Sequence, residues 1–230
     1  MGSLFQDSVY FGVCISLVSY AVGVALRRKT GWGFMNPLLV SIVLVIVALL
    51  VLGVDYSDYS RGAGWLSYLL TPATVCLAVP LYQQVELLKR NYCAIICGIT
   101  AGALSSLVTV LLLALAFGFG HSAYVTFLPK SITTAIGMGV SEELGGIVSV
   151  TVVSIIVTGV LGNIFAEKFL KLLKIDEPIA KGIAIGSSSH AIGTAKAMEM
   201  GVVEGATSGL SIVVSGILTV IGASVFALFL

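Results

Sequence analysis

The sequence predicts an all-α polytopic membrane protein with about seven transmembrane helices and one re-entrant segment. Its spans fall into two inverted three-helix sets with crossing broken helices. Three observations carry this reading. Hydrophobic residues make up 58% of the 230-residue chain and charged residues 10%. Mean hydropathy is +1.10, far from the usual quarter charged of soluble domains. Apolar runs of spanning length recur along the whole chain, and the basic residues between them segregate to alternate loops. A net charge of +1 gives no reason to expect nucleic acid as a partner.

The runs are Val9–Leu26, Pro37–Val54, Trp65–Val85, Cys93–Phe119, Ile147–Ala166, Gly182–Met198 and Ala206–Leu230. The first is long enough to stay as an anchor. Phe127–Val140 is too short to cross as a helix, which needs about 20 residues. Arg27, Arg28 and Lys29 follow the first run, Lys89 and Arg90 the third, and Lys168, Lys171, Lys174 and Lys181 the fifth. The positive-inside rule places those loops in the cytoplasm of a plasma-membrane protein and the N-terminus outside. If Phe127–Val140 crossed, the four-lysine loop would fall outside, so it reads as re-entrant from the outer face. The resulting single membrane domain, 1–230, divides into an N-terminal span and basic loop (1–35), a first three-helix set (36–119), the re-entrant segment (120–146) and a second set (147–230). The middle member of each set is disrupted, by Pro72 and Pro80 in one and by Gly186 and Gly193 in the other. Paired broken helices in inverted halves point to a transporter site near the midplane. Glu199 and Glu204 fall at the outer edge in this scheme.

Four polar constellations interrupt the apolar chain. Gly186–Lys196 holds Ser187, Ser188, Ser189, His190 and Thr194 at membrane depth, where such groups must face protein or water. They serve either as a site, with freed backbone N–H groups meeting an anion, or as helix–helix glue. Leu128–Thr134 places Lys130, Ser131, Thr133 and Thr134 after a proline, an anion-facing arrangement, although the lysine also has the reach to snorkel to headgroups. Leu70–Tyr82 carries two prolines with Thr74 and Tyr82, either an unwound site or a kinked structural helix. Asn36 precedes Pro37 and serves as an N-cap or a ligand. His190, with a reference pKa of about 6.5, suits a coupling proton. Lys196 pairs with Glu199 three residues on.

Catalysis is not expected. Ser189 and His190 are adjacent and do not face each other on a helix. No metal-ligand set or cofactor motif is read, and Cys14, Cys76, Cys93 and Cys97 sit in apolar runs without Cys-x-x-Cys spacing.

Asn36-Pro-Leu-Leu, Pro72-Ala-Thr-Val-x-Leu-Ala-x-Pro-Leu-Tyr82, Leu128-Pro-Lys-Ser-x-Thr-Thr134, Gly145-Gly-Ile147 and Ser189-His-Ala-x-Gly-Thr-Ala195 occur in this order. In this the chain resembles the LrgB/CidB family over essentially its whole length. The C-terminal part of the plastid glycolate/glycerate translocator carries a similar domain. Two departures stand out: Ala135 replaces a frequent proline, and Ser187-Ser-Ser-His190 replaces Thr-Ala-Ser-His. The resemblance implies one of two roles. One is an antiholin-like or holin-like regulator of murein hydrolase activity and autolysis, working with a small LrgA/CidA-type membrane partner. The other is a carrier of short carboxylates such as pyruvate, lactate, glycolate or glycerate. The residues themselves favour a small-monocarboxylate carrier working by alternating access. In it Lys130, His190 and N–H groups near Ser187–Ser189 and Thr74 meet the carboxylate. Thr133, Thr134 and Thr194 meet hydroxyl or keto groups. By architectural analogy an elevator-like carrier would be a homodimer built on the first span.

Overall fold

A computed structural model describes residues 10–30, 36–69, 72, 75, 76, 79 and 82–230. Among these, every regular element is helical. Four helices are long and apolar enough to cross a membrane: Phe11–Thr30, Tyr92–Phe117, Val148–Leu172 and Val202–Phe229. The protein is therefore a multi-pass membrane protein. The chain forms two compact units, Met1–Cys76 and Leu77–Leu230.

In the first unit, α1 (Phe11–Thr30) packs against both α2 (Pro37–Leu52) and α3 (Tyr56–Ser67). The Ser16 hydroxyl meets the Tyr59 hydroxyl at 2.9 Å. α2 starts where Asn36 Oδ1 accepts the Leu38 N–H at 2.9 Å and Pro37 fills the first helical position. It stops at Gly53, whose φ of 62° is the left-handed cap a glycine supplies without Cβ strain.

The second unit begins with the short α4 (Val85–Arg90) and is framed by three long helices, α5 (Tyr92–Phe117), α8 (Val148–Leu172) and α10 (Val202–Phe226). Two hairpins pack among them. The first runs through α6 (His121–Phe127), a Leu128–Thr133 turn and α7 (Thr134–Glu143). Its ends meet, because the Ser122 hydroxyl donates to the Gly145 carbonyl at 3.1 Å and the Ile147 N–H to Thr126 Oγ1 at 2.8 Å. Tyr124, Val125, Leu128 and Val140 from its two arms share a core with Leu107, Val110 and Ala114 of α5 and Ala223 of α10. The segment expected to be re-entrant is thus folded as a helix–turn–helix hairpin.

The second hairpin departs from the hydropathy reading, which makes Gly182–Met198 a crossing. α9 (Pro178–Met200) has non-helical backbone at His190 (φ 41°, ψ −141°), and the chain reverses there. Ile185 and Ala197 join one core cluster with Leu170 of α8. Gly182 lies against Glu204 and Thr207 at the start of α10, and Met198 lies against Gly205. Lys196 reaches back to Glu167 near the end of α8, at 3.5 Å. A straight helix would carry Lys196 about 20 Å past Gly182; instead both ends of α9 sit at the Lys171 end of α8.

Three expectations are corrected by this reversal. Gly182–Met198 does not cross. The break falls at His190 itself, between Gly186 and Gly193. Glu199 and Glu204 lie at the basic end, around one cavity of about 270 Å³ shared with Lys171 and Lys181, so α10 starts there and runs the other way from the span count. The expected Lys196–Glu199 pair is present, at 3.2 Å.

Candidate functional site

The hairpin tips approach from opposite ends of the unit and meet near Ile155 of α8. A Cβ on Gly137 of the first hairpin would strike the Ile155 side chain, and His190 at the tip of the second donates from Nε2 to the Ile155 carbonyl at 3.0 Å. A carbonyl only accepts, so this contact places the ring proton on Nε2. The same ring lies over Gly159, where a Cβ would come within 2.7 Å of Cε1. Asn163 Nδ2 donates to the Ile192 carbonyl at 2.8 Å, tying the start of the outgoing arm to α8. Thr194 ties the outgoing arm to α10 through the Ser208 hydroxyl at 2.7 Å. Irregular backbone at membrane depth has to be buried in protein or line a cavity. Ser187, Ser189, His190 and Thr194 are all buried, and among the described residues no buried side-chain N or O atom lacks a partner.

Lys130 stands at the tip of the first hairpin. It donates to Ser131 Oγ at 3.2 Å, and Ser131 pairs with the Ser106 hydroxyl of α5 at 2.8 Å. Among the described residues no carboxylate pairs with this ammonium, and it has two further donors to give. Around it lies a cavity of about 340 Å³ walled by Ser105, Ser106, Thr109, Ser131, Ser187 and Ser188. α5 approaches α9 this closely because Gly102 faces Ser187, whose Oγ would lie 2.7 Å from a Cβ. One cation among hydroxyls, with no fixed negative charge in the lining, is a place where a single carboxylate is stabilised.

The expected site residues divide accordingly. Lys130, Ser131, Ser187 and Ser188 share the cavity; Ser189 lines the adjoining groove that Lys130 and Ser188 also border. His190 and Thr194 line neither space and hold the second tip in place. Thr133 and Thr134 are half-buried at the start of α7, outside both linings. Tyr82 is 79% exposed. Asn36 caps α2 in the other unit, where Pro72 is exposed. Thr74 and Pro80 lie outside the described residues. Sequence reading missed Ser105, Ser106 and Thr109. Their signal was present as a face of small and hydroxyl residues, Gly98, Gly102, Ser105, Ser106 and Thr109, at helical spacing within an apolar run.

Comparison with known proteins covers the same stretch. The family model described as the LrgB-like family matches residues 16–229. "Antiholin-like protein LrgB" of Bacillus mycoides (strain KBAB4) is 37% identical over 222 residues, covering 96% of each chain. The proteins of the same description from Bacillus cereus (strain B4264) and Bacillus anthracis (strain CDC 684 / NRRL 3495) are 36% identical with the same coverage. No solved structure matches the chain. With the motifs, the helical membrane fold and this near-complete match in agreement, the chain belongs to the LrgB-like family.

Proposed function

We propose that the chain works as an antiholin-like protein of the plasma membrane, restraining murein hydrolase release and autolysis together with a small LrgA/CidA-type membrane partner. The observation that carries this reading is the 36–37% identity to proteins described as antiholin-like, over 96% of both chains. The basic end of the second unit is assigned to the cytoplasm and the N-terminus to the outside. The second hairpin then enters from the inner face and the first from the outer face, and a re-entrant pair replaces one of the seven spans. The test is genetic. Cells lacking the chain should release more murein hydrolase activity and lyse earlier, and its return should reverse both; unchanged lysis counts against the role.

A second reading, transport of a small monocarboxylate by alternating access, is favoured by one specific observation: the carboxylate-free Lys130 among hydroxyls between two hairpin tips. Here Lys130 and Ser131 meet the carboxylate; Ser187, Ser188 and Thr109, whose own protons go to carbonyls a turn earlier, accept from a substrate hydroxyl; and His190 positions the tip. Elevator-like motion of a homodimer and an inverted repeat belong to this proposal. Purified chain in liposomes should show saturable uptake of pyruvate or glycolate, and Lys130→Met should reduce it by about 100-fold, the loss of a charge-assisted contact worth up to about 3 kcal/mol. Equal uptake by the variant removes the carrier reading.

A further inference from the structure

Lys130 borders a second space. On the side away from α5 lies a groove of about 600 Å³, lined at one end by Lys130, Thr158 and Ser188 and at the other by Phe165, Phe169 and Leu173. Within the usual range for small-molecule sites, it runs along α8 from Thr158 to Leu173, about 20 Å of helix. Among the described residues, Lys130 is the one charged side chain lining either space. The groove is thus graded: a cation and hydroxyls where the hairpin tips meet, then aromatic and aliphatic walls toward the basic end. A short acid on Lys130 fills the hydroxyl cavity and does not reach these walls. A dicarboxylate would bury its second charge with no counter-charge, which is costly.

We infer that the site takes medium-chain monocarboxylates, with the carboxylate on Lys130 and Ser131 and the alkyl chain laid along Phe165 and Phe169. This deepens the carrier reading, on which it rests, and commits to one occupant because, among the described residues, a single cation sits at one end of an otherwise apolar groove. Single-headed amphiphiles have that same division of charge and apolar surface. The hydroxyl cavity next to Lys130 then holds the water displaced from the head or a substituent near the carboxylate.

The experiment is equilibrium dialysis of labelled butyrate, hexanoate and octanoate against the full-length chain in nanodiscs, with empty nanodiscs subtracted and octanol as the uncharged control. Affinity should rise about three- to fourfold per methylene, the free energy of burying one CH2, and so by about 100-fold from butyrate to octanoate. Octanol should bind at least tenfold more weakly than octanoate in the parent chain and equally well in Lys130→Met. Phe165→Ser should flatten the chain-length series, lowering octanoate affinity at least tenfold more than butyrate affinity. Leu161→Ser, at a half-exposed groove position, does the same should Phe165→Ser fail to fold. A flat series with saturable, Lys130-dependent butyrate binding overturns the inference and leaves the small-acid reading standing. Absence of any Lys130-dependent binding overturns both.

Discussion

The two hairpins of the second unit solve the same problem with different chemistry. The first turns over six residues, Leu128–Thr133, with a proline in second place followed by the lysine, and its arms are short separate helices. The second turns on one residue, His190, with helix continuing on either side. A six-residue turn advertises itself, since Pro129 lacks an N–H and cannot extend the helical hydrogen bonding. A one-residue turn is enforced from outside. His190 is held to Ile155, Ile192 to Asn163, and Thr194 to Ser208. Local sequence specifies one reversal; tertiary contacts specify the other.

The most direct way to break this comparison is to test the second reversal itself. In a background lacking Cys14, Cys76, Cys93 and Cys97, Ile185→Cys with Ala197→Cys should oxidise to an intramolecular disulfide, because the two side chains share a cluster. Cleavage after Lys196 would then leave the fragments joined until reduction. On an unbroken helix the pair would stand about 18 Å apart, beyond any disulfide. Fragments that separate without reductant would return α9 to the status of a crossing helix. Next in size is Gly186→Leu. A Cβ there would lie 2.8 Å from Ser208 Cα on α10, and backbone cannot move aside as a flexible side chain can. The cost should be about 3 kcal/mol, seen as a lowered thermal midpoint in detergent. A neutral result would mean that the incoming arm is not seated on α10.

The contrast also explains how much was legible beforehand. The helical membrane class, the family and the first hairpin were readable because each rests on local composition, loop charge or proline. Lys130 was readable for the same reason, a charge in an apolar segment. The reversal at His190 was not. Gly186-Ser-Ser-Ser-His190 is compatible with a kinked helix as well as a turn, and nothing in the segment says that Ile185 lies against Gly193. A crossing α9 would put Glu199, Glu204 and the start of α10 at the end opposite to the one they occupy. Ser105 and Ser106 were overlooked because hydroxyls in a membrane helix are commonly absorbed by back-bonding to the preceding turn, as Thr109 does to Ser105 at 2.6 Å. Here Ser131 across the cavity gives Ser106 its role.

A smaller effect separates strain from bonding at the turn. His190 occupies φ 41°, ψ −141°, close to the first central position of a type II′ turn, where glycine is preferred. His190→Ala loses the Ile155 hydrogen bond and keeps the strained backbone, and should cost about 1–2 kcal/mol. His190→Gly loses the same bond and relieves the strain, so it should be less destabilising by about 1 kcal/mol although it removes more side chain. Thermal midpoints of the two variants in one detergent decide it. Alanine milder than glycine would mean that the turn is not strained in solution and that the ring's packing matters more than the backbone.

The smallest effect belongs to the ions at the base of the second hairpin. Lys196, with 17% side-chain exposure, bridges Glu167 on α8 and Glu199 on its own arm, and Glu167 also meets Lys171 at 2.9 Å. Both carboxylates are substantially exposed, so solvent screens the cluster and its contribution should stay near 0.5 kcal/mol. Lys196→Gln should therefore lower stability slightly at low ionic strength, and the gap to the parent chain should close by about 0.5 M salt, where the Debye length falls to a few ångströms. Ile185 and Ala197 pack in the same hairpin just inside the cluster, and apolar packing keeps its strength as salt rises. If the variant instead loses several kcal/mol at every salt concentration, the arm is held by charge rather than by its core, and the second hairpin would open with its ion pairs rather than with its tip.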